Sequence, residues 1–194
     1  PTSLVAEAVY ARIVSSNPER RARTADLLSI PPGAVEDVTV DDIEAALYAS
    51  KIISYAQGFR LLRSASIERG WDLKLGTIAS IWRAGCIIRA RFLEDITDAY
   101  TAEPDLDDLT DARFFNDALK QAQESWRKVV ASATMAGIPT PAYSSALAFF
   151  DGMRSRRLPA NLIQAQRDYF GAHTFERVDR PRGEFFHHDW TGGS

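Results

Sequence analysis

The sequence predicts an all-α domain followed by an extended tail. Three observations carry this. Apolar residues recur at helical spacing over long stretches, Pro and Gly stand at the ends of those stretches, and no run alternates apolar and polar residues between turn signals. A chain of 194 residues, 45% hydrophobic and 25% charged, can bury one substantial core.

Residues 2–16, TSLVAEAVYARIVSS, open on Thr and Ser cap candidates and continue apolar on nearly every face, which predicts a buried helix. Pro18, tolerated at a first helical position, starts a second helix that ends before Pro31-Pro32-Gly33. From Asp41 to about Glu68 a long helix begins with an acidic first turn, suited to the positive end of the helix dipole. Its apolar residues Ile43, Leu47, Ile53, Tyr55, Phe59 and Leu62 occupy several faces, so it is expected to lie centrally.

The stretch GTIASIWRAGCIIRARFLEDITDAY keeps a helical pattern, with Gly85 as a junction or close crossing. Residues 111–136 place Phe115, Leu119, Ala122, Trp126, Val129, Val130 and Ala133 on one stripe, and Gly137 with Pro139 stops that helix. Helices over 144–156 and 159–170 follow, the second closed by Gly171. The helical domain thus spans residues 1–171. Residues 172–194 lose the helical period and hold all three histidines with Phe175, Phe185, Phe186 and Trp190. A tail so apolar must cover its own domain or a second chain, and the apolar helices favour a partner subunit.

The charge and motif content narrows the function. A net charge of −3 disfavours nucleic acid, against the basic clusters ERRAR and RSRR on which such a binder would be built. No apolar run reaches the roughly 18 residues of a membrane span, and a secretory signal is missing at the start, so a soluble, cytosolic protein is expected. The lone Cys86, in an apolar run, reads as a small buried hydrophobe. No GxGxxG, GxxxxGK[ST] or GxSxG occurs, so no dinucleotide cradle and no complete reaction site is visible. His187, His188 and Asp189 read as a polar surface run, because neighbours in extended backbone point to opposite sides and rarely share a metal. Lys51 reads as half of an ion pair.

Nineteen of the 23 basic residues are Arg, whose planar fork suits phosphate or carboxylate. Arg12 lies five positions from Glu7, about 140° around a helix, and cannot pair with it directly. It must snorkel, find another carboxylate or meet a ligand anion. Arg167 stands in the last turn of its helix and His173 just beyond the chain reversal. Helix stabilisation and phosphate binding explain this pair equally well.

The words YASKIISYAQGFRLLR, IWRAGCIIRARFL and LPANLIQAQRDYFGAHTFER, followed by FFHHDW, closely resemble the C-terminal all-helical part of the 6-phosphogluconate dehydrogenase family, and PTSLVAEAVYARIVSS looks like the family's segment after its lysine-bearing loop. The resemblance covers essentially the whole chain. It implies an NADP-dependent, decarboxylating enzyme of the pentose phosphate pathway that converts 6-phosphogluconate to ribulose 5-phosphate. It further implies that the Rossmann domain, the catalytic lysine base and glutamate acid, and the substrate loop lie outside this chain, which is therefore expected to be a fragment, inactive alone. By the same resemblance Arg12 grips the substrate phosphate within its own subunit, Arg167 and His173 reach the phosphate in the neighbouring subunit's site, and the tail threads through the partner of a homodimer. HHDW replaces the family's usual His-Thr-type run before Trp. A helical dimerisation module without ligand binding is the rival reading.

Overall fold

A computed structural model of the chain describes residues 2–83, 86–88 and 91–192. Among the described residues the chain forms eight α-helices and one two-stranded ladder, as expected for an all-α domain. The helices are α1 (Ser3–Ser15), α2 (Pro18–Leu28), α3 (Val40–Arg69), α4 (Leu75–Ile81), α5 (Leu93–Ala102), α6 (Arg113–Met135), α7 (Pro141–Met153) and α8 (Ala160–Gly171). The strands are β1 (Phe175–Glu176) and β2 (Phe185–Phe186). Two compact units result, residues 1–150 and 151–194.

The first unit is built on α3 and α6. Thr39 and Asp42 close a capping box at the start of α3, and Gly70, in the left-handed region at φ 65°, ends the helix. Asp42 also accepts from Ser125 Oγ (2.6 Å) and Lys128 Nζ (2.8 Å), tying the start of α3 to α6. Small residues Ala46, Ala49 and Ala56 alternate with Ile52, Ile53 and Phe59 on the buried side of α3. They meet Phe115, Leu119, Ala122, Trp126 and Val129 of α6, all buried. Trp126 satisfies its indole N–H on the Tyr143 carbonyl at 3.2 Å, which carries the core on to α7. The stop after α6 has the expected glycine: Gly137 has φ 71°, and the Ile138 N–H returns to the Ala133 carbonyl at 2.8 Å, a Schellman arrangement.

The segment after α3 forms two short helices. Phe92 sits at its centre, edge-on to Tyr48, Tyr55 and Phe115 with centroids 5.0 to 6.0 Å apart. The close crossing of α4 and α5 is at Gly76, where a Cβ would lie 3.3 Å from the Thr97 carbonyl oxygen. Gly85, expected to mark it, lies outside the described residues. Arg60 of α3 pairs with buried Asp108, whose carboxylate also caps the 3-10 turn Leu109–Asp111 through the Thr110 N–H.

Several expectations need correction. The first helix is present but not buried: Leu4 is, while Val5, Val9, Tyr10, Ile13 and Val14 are exposed. Its N-terminal end is anchored by buried Gln57, which accepts from the Leu4 N–H (3.0 Å) and donates to Ser3 Oγ (2.9 Å). Ile43 and Leu47 of α3 are likewise exposed. Cys86 is half-buried rather than enclosed, and it lies outside the helices, between α4 and α5. Lys51 has no ion-pair partner among the described residues; its ammonium lies 5.8 Å from the Phe92 ring centroid, a cation–π contact.

The second unit is α8 and the segment after it. That segment is more than extended chain: β1 and β2 pair antiparallel, Phe175 with Phe186 and Glu176 with Phe185. The turn is tied by the Gly183 N–H on Glu176 Oε1 (2.6 Å) and by a bidentate Arg177–Asp179 pair. Among the described residues no helix is long and apolar enough to cross a membrane.

Candidate functional site

The words QAQRDYFGAHT lie where α8 ends and the chain reverses. Asp168 opens the last turn of α8, and Arg167, expected in that turn, lies one residue before it; the two project about 100° apart around the helix axis. Arg167 is exposed, and Asp168 is completely buried at 0% exposure. An acid at the carbonyl end of a helix opposes the dipole, so its burial there needs specific compensation.

Four donors supply it. The carboxylate accepts from the Thr174 N–H (3.0 Å), His187 Nδ1 (2.9 Å), the His188 N–H (3.0 Å) and Trp190 Nε1 (2.9 Å). Burial pushes the Asp168 carboxyl up, but these hydrogen bonds outweigh it and hold the group well below the usual carboxylate range. Asp168 is therefore an anion, and His187 presents Nδ1 to it as a donor. Trp190, itself exposed, makes edge contacts with His188 and Tyr169, at 4.8 and 6.2 Å between centroids.

The reversal itself is strained. Helix α8 closes on Ala172, not on Gly171: Ala172 has φ 49° and Thr174 φ 59°, both non-glycine residues in the left-handed region. Each costs on the order of 1–3 kcal/mol. His173 stands between them, exposed, with its ring against Gly171, where an added Cβ would lie 3.2 Å from Cδ2 and 3.3 Å from Nε2. Gly171 thus serves close approach of the imidazole rather than the left-handed turn. Gln164, one turn earlier, donates to the Thr174 carbonyl and accepts from Arg167 Nη1 at 3.1 Å. The structure so brings Arg167 and His173 to one chain reversal, both open to solvent.

Arg12 belongs to the other unit. It lies exposed in the last turn of α1, and its guanidinium has no hydrogen-bond or ion-pair partner among the described residues. The carboxylate partner considered for it is not found there.

Asp168, Gln164 and Trp190 are the residues that sequence reasoning missed. The available signals were an acid where the helix dipole disfavours one and an indole donor with no local acceptor. His187 and His188 also do more than the surface run assigned to them, since both bond to Asp168. Asp189 turns outward and accepts from the N–H groups of Thr191 and Gly192. No group of three or more His, Cys, Asp or Glu suited to a metal occurs among the described residues.

The family model for the 6-phosphogluconate dehydrogenase C-terminal domain matches residues 1–190. The chain belongs to the 6-phosphogluconate dehydrogenase family. Decarboxylating 6-phosphogluconate dehydrogenases of Haemophilus influenzae and Saccharomyces cerevisiae are 52% and 53% identical, each over 99% of this chain. This chain spans about 40% of the length of these 6-phosphogluconate dehydrogenase relatives. A solved Plasmodium falciparum 6-phosphogluconate dehydrogenase superposes with a TM-score of 0.90 at 42% identity, over 98% of this chain and 41% of that one. That protein is described in its apo form, with its cofactor NADP+ and with its substrate 6-phosphogluconate. Family and all-helical fold thus agree with the resemblance read in the sequence.

Proposed function

We propose that this chain is the C-terminal part of an NADP-dependent 6-phosphogluconate dehydrogenase, which oxidatively decarboxylates 6-phosphogluconate to ribulose 5-phosphate in the pentose phosphate pathway. Its contribution is to bind the substrate phosphate through Arg12, Arg167 and His173 and to form the homodimer interface. The observation that carries this reading is the pairing of exposed Arg167 and His173 at a strained reversal pinned by a buried carboxylate. Strained, over-determined backbone beside exposed cationic and hydrogen-bonding groups is what an anion site requires.

The phosphate is remote from the reacting carbons, so its binding energy serves to hold the sugar acid in register with the base, acid and cofactor. Those groups are assigned to the part of the enzyme outside this chain. The residues present do not fit NADP: the sheet is a two-residue antiparallel ladder, and no Gly-rich strand-to-helix turn accompanies it.

The homodimer is supported by the apolar residues exposed on α1 and α2, Val9, Tyr10, Ile13, Val14, Leu27 and Leu28 among them. A cytoplasmic location follows from the metabolic role. The decisive test is steady-state kinetics of the full-length enzyme. Arg167→Ala removes charge-assisted bonds worth about 1.5–3 kcal/mol, so the KM for 6-phosphogluconate should rise roughly 10- to 150-fold. His173→Ala should act in the same direction. A purely dimerising module predicts unchanged kinetics, and that result would remove the phosphate assignment.

A further inference from the structure

We propose that Asp168 is the positioning residue of the phosphate grip: its buried carboxylate, loaded by donors from the tail, fixes Arg167 and His173 in one geometry and so couples tail docking to substrate affinity. This rests on the phosphate-binding reading above and adds a residue that the resemblance does not supply.

Asp168 adjoins Arg167, and holding it inward directs the Arg167 side chain about 100° away around α8. One carboxylate oxygen also takes the Thr174 N–H, the residue directly after His173. His173 is therefore held between Asp168 bonds and the left-handed residues Ala172 and Thr174. Without the bond to Asp168, nothing described holds the Thr174 N–H, and both residues can return to ordinary backbone basins. Gln164 adds a second tie between Arg167 and the Thr174 carbonyl. The grip is thus a closed ring of bonds with Asp168 beneath it.

The donors explain why the residue is an acid. His187, His188 and Trp190 arrive from 19 to 22 residues later in the chain. A carboxylate offers acceptor sites on both oxygens and can take all four donors. An asparagine would turn its NH2 toward two of them. Removing tail donors therefore loosens the grip from beneath without touching a phosphate-contacting side chain.

The test is kinetic and uses the full-length enzyme. Asp168→Asn should raise the KM for 6-phosphogluconate at least about tenfold while kcat falls less than about threefold, the pattern of lost ground-state positioning. Trp190→Phe, which removes a single donor and keeps most of the ring, should raise KM in the same sense by about two- to fivefold. Because Asp168→Asn can unfold the unit, Trp190→Phe and His187→Ala carry the test if it does. In an Arg167→Ala/His173→Ala background, Trp190→Phe should leave KM where the double variant put it, whereas a merely structural role predicts the same further change as in wild type. If Arg167→Ala itself leaves KM unchanged, the phosphate assignment fails and the coupling with it. If Arg167→Ala raises KM while the Trp190 and His187 variants shift only thermal stability, the coupling alone is overturned.

Discussion

The α3–α6 core and the unit around Asp168 are held together by different physics. In the first, Ile52, Ile53, Phe59, Phe115, Leu119 and Trp126 bury against one another, and no single pair decides the result. In the second, few side chains are buried, and one carboxylate gathers donors from residues 174 to 190. Apolar packing is non-directional and degrades gradually, whereas a buried ionic hub is directional and fails when its charge is removed. A group that must hold a ligand to within a fraction of an ångström is better served by the second kind of support.

The contrast can be broken most forcefully in the core. Trp126→Ala removes a fully buried indole and leaves the Tyr143 carbonyl without its donor, and should cost about 3–5 kcal/mol, read as a large drop in Tm of the whole chain. Next in size, Asp168→Asn should abolish the near-UV circular dichroism of Trp190 and the amide protection of Thr174 and His188, while α3 and α6 keep theirs. Loss of protection throughout α6 would show that the two regions do not fail separately.

Acid sharpens the comparison further. The folded-state carboxyl of Asp168 lies below its unfolded value of about 3.9, so its stabilisation is complete above that pH and is lost as pH falls through the folded value. The Trp190 signal should hold at pH 5 and fade well below pH 4. Asp42 behaves alike, held low by Lys128 and then Ser125, so the first unit also weakens in strong acid. At the alkaline end the units differ: burial, with the Asp108 charge behind it, pushes the Tyr100 phenol up to about 12. Folding favours its neutral form, so the core should lose stability as pH rises above about 10, the ordinary tyrosine value. Spectrophotometric titration at 295 nm would show a late-ionising tyrosine.

The smallest effect expected is at Gly171. Gly171→Ala raises helix propensity by up to about 1 kcal/mol, yet its Cβ would crowd the His173 ring. Stability should rise slightly while the KM for 6-phosphogluconate rises about twofold in the full-length enzyme. If both improve together, the ring contact does not matter to binding.

What was legible in the sequence follows the same division. The α6 stripe from Phe115 to Ala133 reads directly from its period, because burial against one face imposes that period. For α1 the period is silent about the partner: an all-round apolar helix is written identically whether its cover is this chain or another, and here Val9, Tyr10 and Ile13 remain exposed. Asp168 was illegible for a different reason. Its donors lie 6 to 22 residues away in a segment with no regular period, and no local rule links an acid to a distant indole. The left-handed Ala172 was missed because the preceding glycine offered a cheaper stop, and only the Asp168 bonds make the costlier one hold. Arg12, Arg167 and His173 were named through family resemblance, since spacing alone left their roles level with helix stabilisation.

The measurement that reaches the central claim most directly is substrate discrimination by the full-length enzyme, the ratio of kcat/KM for 6-phosphogluconate to that for unphosphorylated gluconate, in wild type and Arg167→Ala. If Arg167 meets the phosphate, the ratio should collapse by about 10-fold or more, because only the phosphorylated substrate loses a contact. An unchanged ratio, with both substrates affected equally or not at all, would contradict the claim that this chain reversal is a phosphate grip.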